Sequence, residues 1–355
     1  MKLRSATLMD VAREAGVSKA TVARVLSASG YVGEETRQRV EAAVKSVGYR
    51  PNVMARGLRT QRSLTIGHLL IEITSNPFFA HVARAVEREA LANGYKTFLF
   101  NHNKNSEQER FGVERFIERQ VDAVIFTYPV DAASIAMLRA AEMPVVQIER
   151  QRTPDTHAVL VDNVAGIEAA MAHLLQLGHR RIGFIGGDPA MFPHPGVRAR
   201  SLEEDRLHTY LDALRRAGIA IDPDLVRLGE YVRLEDGSDV EGYGHAKALF
   251  ALKDRPTAII AGCDVLAGGI LRAAYEAHLR VPDDLSLVGF DDTIAGQLTP
   301  RLTSVAQPMA ELGLTAFQLA LASIEDPDIA PRTVTLAPTL VIRDSTGPVP
   351  VRATR

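Results

Sequence analysis

The sequence predicts a small all-α head followed by a larger α/β core of two doubly wound, parallel-sheet lobes. In the first fifty residues, apolar positions recur at spacings of three and four, which is the helical period. From Leu64 onward, short β-branched strands alternate with helical segments, as they do in parallel sheets covered by helices on both faces. This alternation runs as two series of about 100 and about 130 residues, which indicates two similar lobes.

The head opens with the stretch TLMDVAREAGVSKATVARVL, whose pattern is that of a helix-turn-helix. Thr7 stands at an N-cap position, and Asp10 can complete a reciprocal cap three residues later. Gly16 supplies the turn, and Ser18 caps the second helix. In a helix-turn-helix this second helix lies in the major groove of DNA. An ordinary helical hairpin has the same local pattern, so these residues alone leave both interpretations open.

A third helical pattern ends at Gly48, and a weaker one begins at Pro51. The weaker segment is short and carries little apolar surface. Isolated short helices are marginal in water, so we expect this hinge helix to order only when something holds it. The predicted division is a head, a hinge helix with its linker, a core and a tail, over residues 1–50, 51–63, 64–345 and 346–355.

Composition is that of a globular protein, with 46% hydrophobic and 24% charged residues in a chain of 355. No apolar run approaches the ~18 residues of a membrane helix, and the N-terminus has no apolar signal-peptide core. Cys263 is the lone cysteine and has no partner for an intramolecular disulfide. These features predict a cytoplasmic protein with no membrane contact.

Charge is distributed unevenly along the chain. Residues 1–62 contain 12 Lys and Arg against 5 Asp and Glu, whereas the remainder contains 29 against 38. A basic head on an acidic body suits a head that binds a polyanion.

No catalytic or cofactor motif is found in the sequence. Gly183, Gly186 and Gly187 do not form the GxGxxG of a dinucleotide site, which argues against a dehydrogenase. Metal-ligand clusters, nucleophile elbows and phosphate loops are also missing, so we expect no enzyme activity, no metal and no cofactor. A stand-alone sugar-binding protein remains the alternative, although it would have no use for the basic head.

Further motifs follow the helix-turn-helix in a fixed order along the chain. They are EETRQRVEAAVKSVGYRPN, PNVMARGL, ITSNPFFA, VDNVAGIEAAMAHLLQLGHRRIGFIGG, VPDDLSLVGFDDT and TLVIRDSTG. With them, the chain resembles the lac repressor / gal repressor family of bacterial transcription factors almost from end to end. The resemblance implies a helix-turn-helix head, a hinge helix and a core like a type I periplasmic sugar-binding protein. It also implies a homodimer, with a tetramer left open, that binds a pseudo-palindromic operator in double-stranded DNA.

The same resemblance divides the core between the lobes and places a ligand cleft between them. The N-lobe is expected to comprise residues 64–161 and 293–323, and the C-lobe residues 162–292 and 324–345.

Base-reading positions of the family are occupied here by Lys19, Ala20 and Arg24. A guanidinium pairs with guanine O6 and N7 in a bidentate manner, worth about 1–3 kcal/mol of discrimination, so Arg24 is the main candidate. Lys19 contacts a base or only a phosphate, and Ala20 can offer thymine only a methyl contact. Thr7, Ser18 and Thr21 resemble phosphate contacts, and the first two are equally explained as helix caps.

In the hinge, the family's minor-groove residues correspond to Asn52, Ala55, Arg56 and Leu58. The resemblance implies that paired leucines at position 58 wedge into the centre of the operator and kink it, which unstacks one base step. A plain linker leucine is the alternative.

For the effector, the family pattern gives seven candidates: Phe78, Phe79, Arg150, Arg200, Arg206, Asp264 and Asp291. Arginine and aspartate facing each other across a cleft hold vicinal hydroxyls through charge-assisted hydrogen bonds. A sugar or sugar derivative is therefore the leading ligand class, and a purine-like compound the second. The phenylalanines have a core role as their alternative, and both aspartates have capping as theirs. Whether the effector releases the protein from DNA or promotes binding stays open.

We expect Leu58→Ser to weaken operator binding sharply while effector binding stays unchanged, because a hydroxyl cannot replace an apolar wedge between bases. A gel-shift titration of both proteins on the same operator measures this. Equal operator affinities would contradict the wedge.

Overall fold

The computed structural model describes residues 6–26, 30–49, 62–151, 153–191, 200–231 and 241–350. Its contacts divide the chain into two compact units, Met1–Ser63 and Leu64–Arg355. Within the described ranges, no helix has the length and apolarity needed to cross a bilayer.

Three short helices form the head: α1 (Leu8–Ala15), α2 (Lys19–Leu26) and α3 (Glu34–Ser46). The predicted capping box is present, since the backbone N–H of Thr7 donates to Asp10 Oδ2 at 2.9 Å and the Thr7 hydroxyl accepts from the Asp10 backbone. Gly16 ends α1 with φ of 64°, a left-handed conformation that glycine adopts without steric cost. Val11, Val22 and Val40, one from each helix, are fully buried together and form the centre of this small core.

The larger unit contains twelve strands in the described residues. In chain order they are β1 (Thr65–Leu70), β2 (Lys96–Asn101), β3 (Ala123–Thr127), β4 (Val145–Ile148), β5 (His157–Val161), β6 (Ile182–Gly187), β7 (Val226–Gly229), β8 (Ala258–Ala261), β9 (Ser286–Asp291), β10 (Thr303–Ala306), β11 (Thr333–Leu336) and β12 (Thr339–Val341). They form two six-stranded sheets, ordered β11-β5-β4-β3-β1-β2 and β12-β10-β9-β8-β6-β7. Every pairing is parallel except that of β10 with β12.

In the described residues of the larger unit, eight α-helices cover both faces of these sheets. They are α4 (Pro77–Ala92), α5 (Ser106–Glu118), α6 (Ala132–Ala140), α7 (Asn163–Gln176), α8 (Leu202–Arg216), α9 (Glu241–Phe250), α10 (Asp264–Glu276) and α11 (Met309–Glu325). Along β3, Ala123 and Ile125 pack into the core on one face, while Val124 and Phe126 pack into the core on the other. A strand buried on both faces explains why the sequence is apolar at successive positions there.

The lobe boundaries near the C-terminus differ from those expected. Residues 293–323 were assigned to the N-lobe, but β10 pairs with β9 and belongs to the C-lobe sheet. Residues 324–345 were assigned to the C-lobe, but β11 pairs with β5 in the N-lobe sheet, and only β12 returns to the C-lobe. Helix α11 packs on α4 so closely that a Cβ at Gly313 would lie 2.5 Å from that of Ala85. The chain therefore crosses to the N-lobe between β10 and α11 and returns to the C-lobe between β11 and β12.

Residues 346–349 pack on the C-lobe rather than forming a free tail. The Thr346 hydroxyl lies 2.9 Å from His173 Nε2, and the Gly347 carbonyl lies 3.1 Å from His179 Nε2. The Val349 amide donates to the Leu177 carbonyl at 2.9 Å. These contacts anchor the chain at least to Val349 because they satisfy polar groups of α7 and the turn after it.

Candidate functional site

In the head, α2 presents its predicted base-reading residues to solvent. Lys19, Ala20 and Arg24 are exposed, whereas Val22 is fully buried and fixes the rotation of the helix. The hydroxyls of Ser18 and Thr21 lie 2.9 Å apart, and Ser18 also accepts from the Thr21 amide at 3.0 Å. Thr7 and Ser18 therefore serve as helix caps, and their phosphate contacts stay a prediction. Of the predicted hinge residues, Asn52, Ala55, Arg56 and Leu58 all lie outside the described part of the chain.

In the core, a cavity of about 620 Å³, counting the part open to solvent, lies between the carboxyl ends of the two sheets. Residues from both lobes line it. Its apolar wall includes Ile71, Phe78, Phe79, Tyr128, Leu202, Tyr231 and Cys263, and its polar groups include Glu72, Asn76, Lys104, Glu149, Arg206, Asp291 and Gln307. A mostly apolar cavity with a few converging polar groups is the usual form of a small-molecule site.

Arg206 projects from α8 to the floor of the cavity and is held by three contacts. Its Nε donates to Asn163 Oδ1 at 2.7 Å, and its Nη1 donates to the Gly262 carbonyl at 2.7 Å. Its guanidinium lies over the ring of Phe290, 3.8 Å from the ring centroid. The position of the charge is therefore fixed before any ligand arrives.

Asp291 ends β9 opposite that arginine and contacts both lobes. Its Oδ1 accepts from Gln307 Nε2 at 2.6 Å, and its Oδ2 accepts from Asn76 Nδ2 at 3.1 Å. Asn76 belongs to the N-lobe, so this second bond crosses the cleft. Burial raises the pKa of Asp291 to about 7, although the charge of Arg206 opposes the shift.

Glu149, directly after β4, is a third buried ionisable group in the cavity wall. Burial raises its pKa to about 7, with Arg206 and Arg150 opposing the shift and Glu203 adding to it. Its Oε1 is buried with no hydrogen-bond partner among the described residues. Such an unsatisfied carboxyl oxygen indicates an acceptor kept for a ligand.

A buried ion pair beside the cavity joins the lobes. Arg150 Nη2 donates to Glu203 Oε1 at 3.1 Å, and the Tyr128 hydroxyl donates to the same oxygen at 2.6 Å. Arg150 also donates to the Tyr128 hydroxyl and stacks over its ring, 3.7 Å from the centroid. Glu203 belongs to α8 of the C-lobe, whereas its two partners belong to the N-lobe.

Four of the residues around the cavity adopt left-handed backbone conformations that non-glycine residues rarely adopt. The φ angles are 59° at Lys104, 66° at Tyr128, 68° at Glu149 and 100° at Asp291. Each residue stands where a strand reaches the cleft. Left-handed conformations cost roughly 1–2 kcal/mol for an L-residue, and strain of this kind concentrates at functional sites.

Four of the seven predicted effector residues line the cavity: Phe78, Phe79, Arg206 and Asp291. Phe78 is also a core residue, since it is buried with Ile66 and Val82 in the N-lobe. Phe79 is only partly buried, and its ring meets that of Tyr128 edge to face, with centroids 6.3 Å apart.

The other three predicted residues do not line the cavity. Arg150 lies behind the wall, in the ion pair described above, and Arg200 is exposed before α8. Asp264 is fully buried, and its carboxylate accepts from the Thr293 amide at 2.7 Å and the Ser304 hydroxyl at 2.6 Å. It therefore holds the loop after β9, which positions Asp291 rather than the ligand.

Sequence reasoning missed Tyr128, Glu149, Glu203, Tyr231 and Gln307. Four of these follow strands β3, β4, β7 and β10 within two residues. A search for polar and aromatic residues just beyond each strand end would have found the first two, because β3 and β4 are apolar enough to recognise. The strands before the other two, VRLG and TSVA, are less apolar and are harder to recognise.

The comparisons with known proteins match both units. The family model described as "Bacterial regulatory proteins, lacI family" matches residues 7–52, and that described as "Periplasmic binding protein-like domain" matches residues 171–346. The HTH-type transcriptional repressor PurR of Erwinia tasmaniensis is 34% identical over 98% of both chains. The ribose operon repressor of Haemophilus influenzae is 32% identical, over 96% of this chain and 98% of its own.

Solved structures match over nearly the whole length. The Lac repressor dimer bound to operator and the anti-inducer ONPF is similar with a TM-score of 0.81 and 26% identity, over 97% of this chain and all of that one. The complex of the transcriptional regulator CelR with cellobiose has a TM-score of 0.69 and 28% identity, over 96% of this chain and 99% of its own.

We expect Glu149→Gln to change how stability depends on pH. A carboxyl whose pKa rises from 4.5 to about 7 on folding binds its proton more tightly in the folded state. The stability that this proton adds to the folded state is fully present below about pH 4.5 and is lost as pH rises towards 7. The wild type should therefore lose stability across that range relative to the variant. Arg206, Glu203 and Arg150 face the group in both proteins.

Urea unfolding of both proteins at about pH 5 and about pH 8 measures the effect. The free energy of unfolding of the variant, relative to the wild type, should be higher at the upper pH. The same difference at both values would show that Glu149 does not titrate in this range.

Proposed function

The chain belongs to the lacI family of bacterial regulatory proteins, and on that premise we propose that it is a repressor whose operator affinity is set by a small molecule bound between its lobes. Membership makes it a DNA-binding transcriptional regulator with an effector-binding core. The observation that carries the proposal is the cavity between the sheets, where Arg206 and Asp291 are already held in place. Operator DNA is the partner, and the cytoplasm is the compartment where the protein would meet it.

Exposed residues of α2 support direct readout of the operator. Arg24 and Lys19 stand on the solvent face of a helix whose opposite side is fixed by Val22. With the hinge residues Asn52, Ala55, Arg56 and Leu58 in the minor groove, the head would contact both grooves of a half-site. Several Lys and Arg contacts to phosphate would give the binding a steep dependence on salt.

A second copy of the chain is the natural partner of one N-lobe surface. Strand β2 is the edge of its sheet, and Leu99 on it is 38% exposed. Leu91 on α4 and Phe111 on α5 are 62% and 50% exposed. An uncovered strand edge with apolar side chains around it favours association, and a homodimer supplies the two heads that a pseudo-palindromic operator requires.

A sugar or sugar derivative fits the cavity better than a flat base does. Arg206, Asp291 and Glu149 present charged groups at several points of the wall, which suits a ligand with hydroxyls on all sides. CelR was solved with cellobiose and a relative from Enterococcus faecium with ribose, which favours the same class. A purine remains the second candidate because PurR is among the relatives and Phe79 and Tyr231 could contact a planar ring.

We expect Arg24→Ala to lose more affinity for the operator than for random DNA. A lost bidentate contact to guanine costs about 1–3 kcal/mol of discrimination, whereas a lost phosphate contact weakens both complexes equally. Arg13→Ala is the matched control, because Arg13 is exposed on α1 and its substitution removes the same charge. Gel shifts on an operator selected from random sequences measure both; equal losses on both DNAs would contradict base reading by Arg24.

For the effector, a thermal-shift screen of sugars and nucleobases against the full chain should give a stabilising compound. Asp291→Ala should abolish that shift, because it removes a buried acceptor that Gln307 and Asn76 hold in place. Asp328→Ala, in an exposed loop of the core, is the control and should keep it. A compound that stabilises the wild type, Asp291→Ala and Arg206→Ala alike would place the site elsewhere.

A further inference from the structure

We propose that the effector carries a positively charged amine, so that this site takes an amino sugar or a similar small ammonium compound in preference to a neutral sugar. The inference rests on the proposed role of the cavity as the effector site and narrows its ligand class. It is carried by the balance of buried charge around the cavity.

Five charged side chains, each at least nine-tenths buried, surround the cavity floor. Glu149, Glu203 and Asp291 are carboxyls, and Arg150 and Arg206 are guanidiniums. Arg150 pairs with Glu203 at 3.1 Å, and among the described residues Arg206 is the cation that interacts with both Glu149 and Asp291. Among the described residues this cluster therefore has one more negative group than positive.

The other charges that the structure describes near the cavity do not correct the balance. Asp264 is fully buried behind Asp291 and adds to the negative side. The Glu72 carboxylate accepts from five donors of the turn after it, including the Ser75 amide at 2.7 Å. Burial acts to raise its pKa, but these bonds lower the pKa overall, so the carboxylate stays ionised. Lys104 lies at the rim, 3.8 Å from Glu230, which already compensates its charge.

Two hydrogen-bond acceptors of the cavity wall are also unsatisfied among the described residues. Glu149 Oε1 and Gln307 Oε1 are both buried and have no hydrogen-bond partner among the described residues. The carboxyl of Asp291 accepts one bond at each oxygen and has further lone pairs. An ammonium offers three donors and a full positive charge, whereas a hydroxyl offers one donor and no charge. An amine therefore supplies both the positive charge and the hydrogen-bond donors that these groups lack.

Aromatic side chains beside these acceptors suit the same ligand. Phe79 and Tyr231 both line the cavity. An aromatic face attracts a cation electrostatically, and the attraction is larger where water is excluded. The face of Tyr128 is already covered by the guanidinium of Arg150.

In the absence of a ligand, a proton relieves the same excess. Burial raises the pKa of both Glu149 and Asp291 to about 7, although the charge of Arg206 opposes both shifts. An ammonium that binds between them replaces the proton with a fixed charge.

Matched compounds test the inference directly. The panel is glucose, galactose and mannose, each with its 2-amino and its N-acetylated 2-amino derivative, together with putrescine and 1,4-butanediol. Thermal shift and isothermal titration calorimetry on the full chain at neutral pH measure binding. We expect at least one amine to bind about tenfold or more tighter than its neutral counterparts, as a charge-assisted bond to a buried carboxylate requires.

Glu149→Gln should remove that preference, because the amide keeps the shape and loses the charge. Glu87→Gln, an exposed carboxyl on α4, is the control and should keep it. A neutral compound that binds as tightly as its amine, or a panel in which no amine binds, overturns the inference. If a neutral sugar binds and Asp291→Ala abolishes it, the effector site stands without the amine; failure of the full chain to bind any selected operator would overturn the proposed function itself.

Discussion

A buried ion pair, Arg150 with Glu203, joins the two lobes across the cleft, and the Tyr128 hydroxyl donates to the same carboxylate. Both charged side chains are almost completely removed from water. Breaking such a pair inside the protein costs about 3–5 kcal/mol, but separating the lobes would hydrate both charges and avoid that cost. The contact therefore favours two arrangements, lobes together with the pair intact or lobes apart with both groups in water, over anything between.

The charged groups of this contact lie close enough to those of the ligand cavity to interact with them. Glu203 and Glu149 both lie near Arg206, which in turn faces Asp291. Asp291 makes the second bond between the lobes, to Asn76. A ligand that changes the charge among these groups changes the strength of both interlobe contacts. This gives the cavity a physical route to the lobe arrangement, and we propose that in a dimer the lobe arrangement sets the spacing of the two hinges.

Most of the architecture could be predicted from the sequence, because each lobe repeats the alternation of short apolar strands with helices. The apolar runs of β1 and β3 and the capping box at Thr7 are local features that the fold leaves unchanged. The crossings around α11 were assigned wrongly because β10, β11 and β12 have only three or four residues each, too few to carry a periodic pattern. Which sheet such a strand joins is decided by tertiary contacts.

The site was predictable only in part, for a similar reason. Arg206 and Asp291 were found through a family pattern, but Glu149 and Glu203 matter because of what surrounds them after folding. The same pattern suggested Arg150 and Asp264 for the ligand, and the structure uses both as internal partners. The imbalance of buried charge around the cavity cannot be seen in the linear sequence, because it depends on which side chains folding brings together.

We propose that contacts between the lobes control operator affinity from a distance. The most direct test of this proposal is the operator Kd of the full chain carrying Glu203→Gln, measured by fluorescence anisotropy beside the wild type and without effector. Glu203 lies in the core unit, whereas the predicted DNA contacts all lie in residues 7–58. We expect the Kd to change about fivefold or more, which is the usual size of the coupling between two sites of an allosteric protein. An unchanged Kd in a variant that folds and dimerises normally would contradict it.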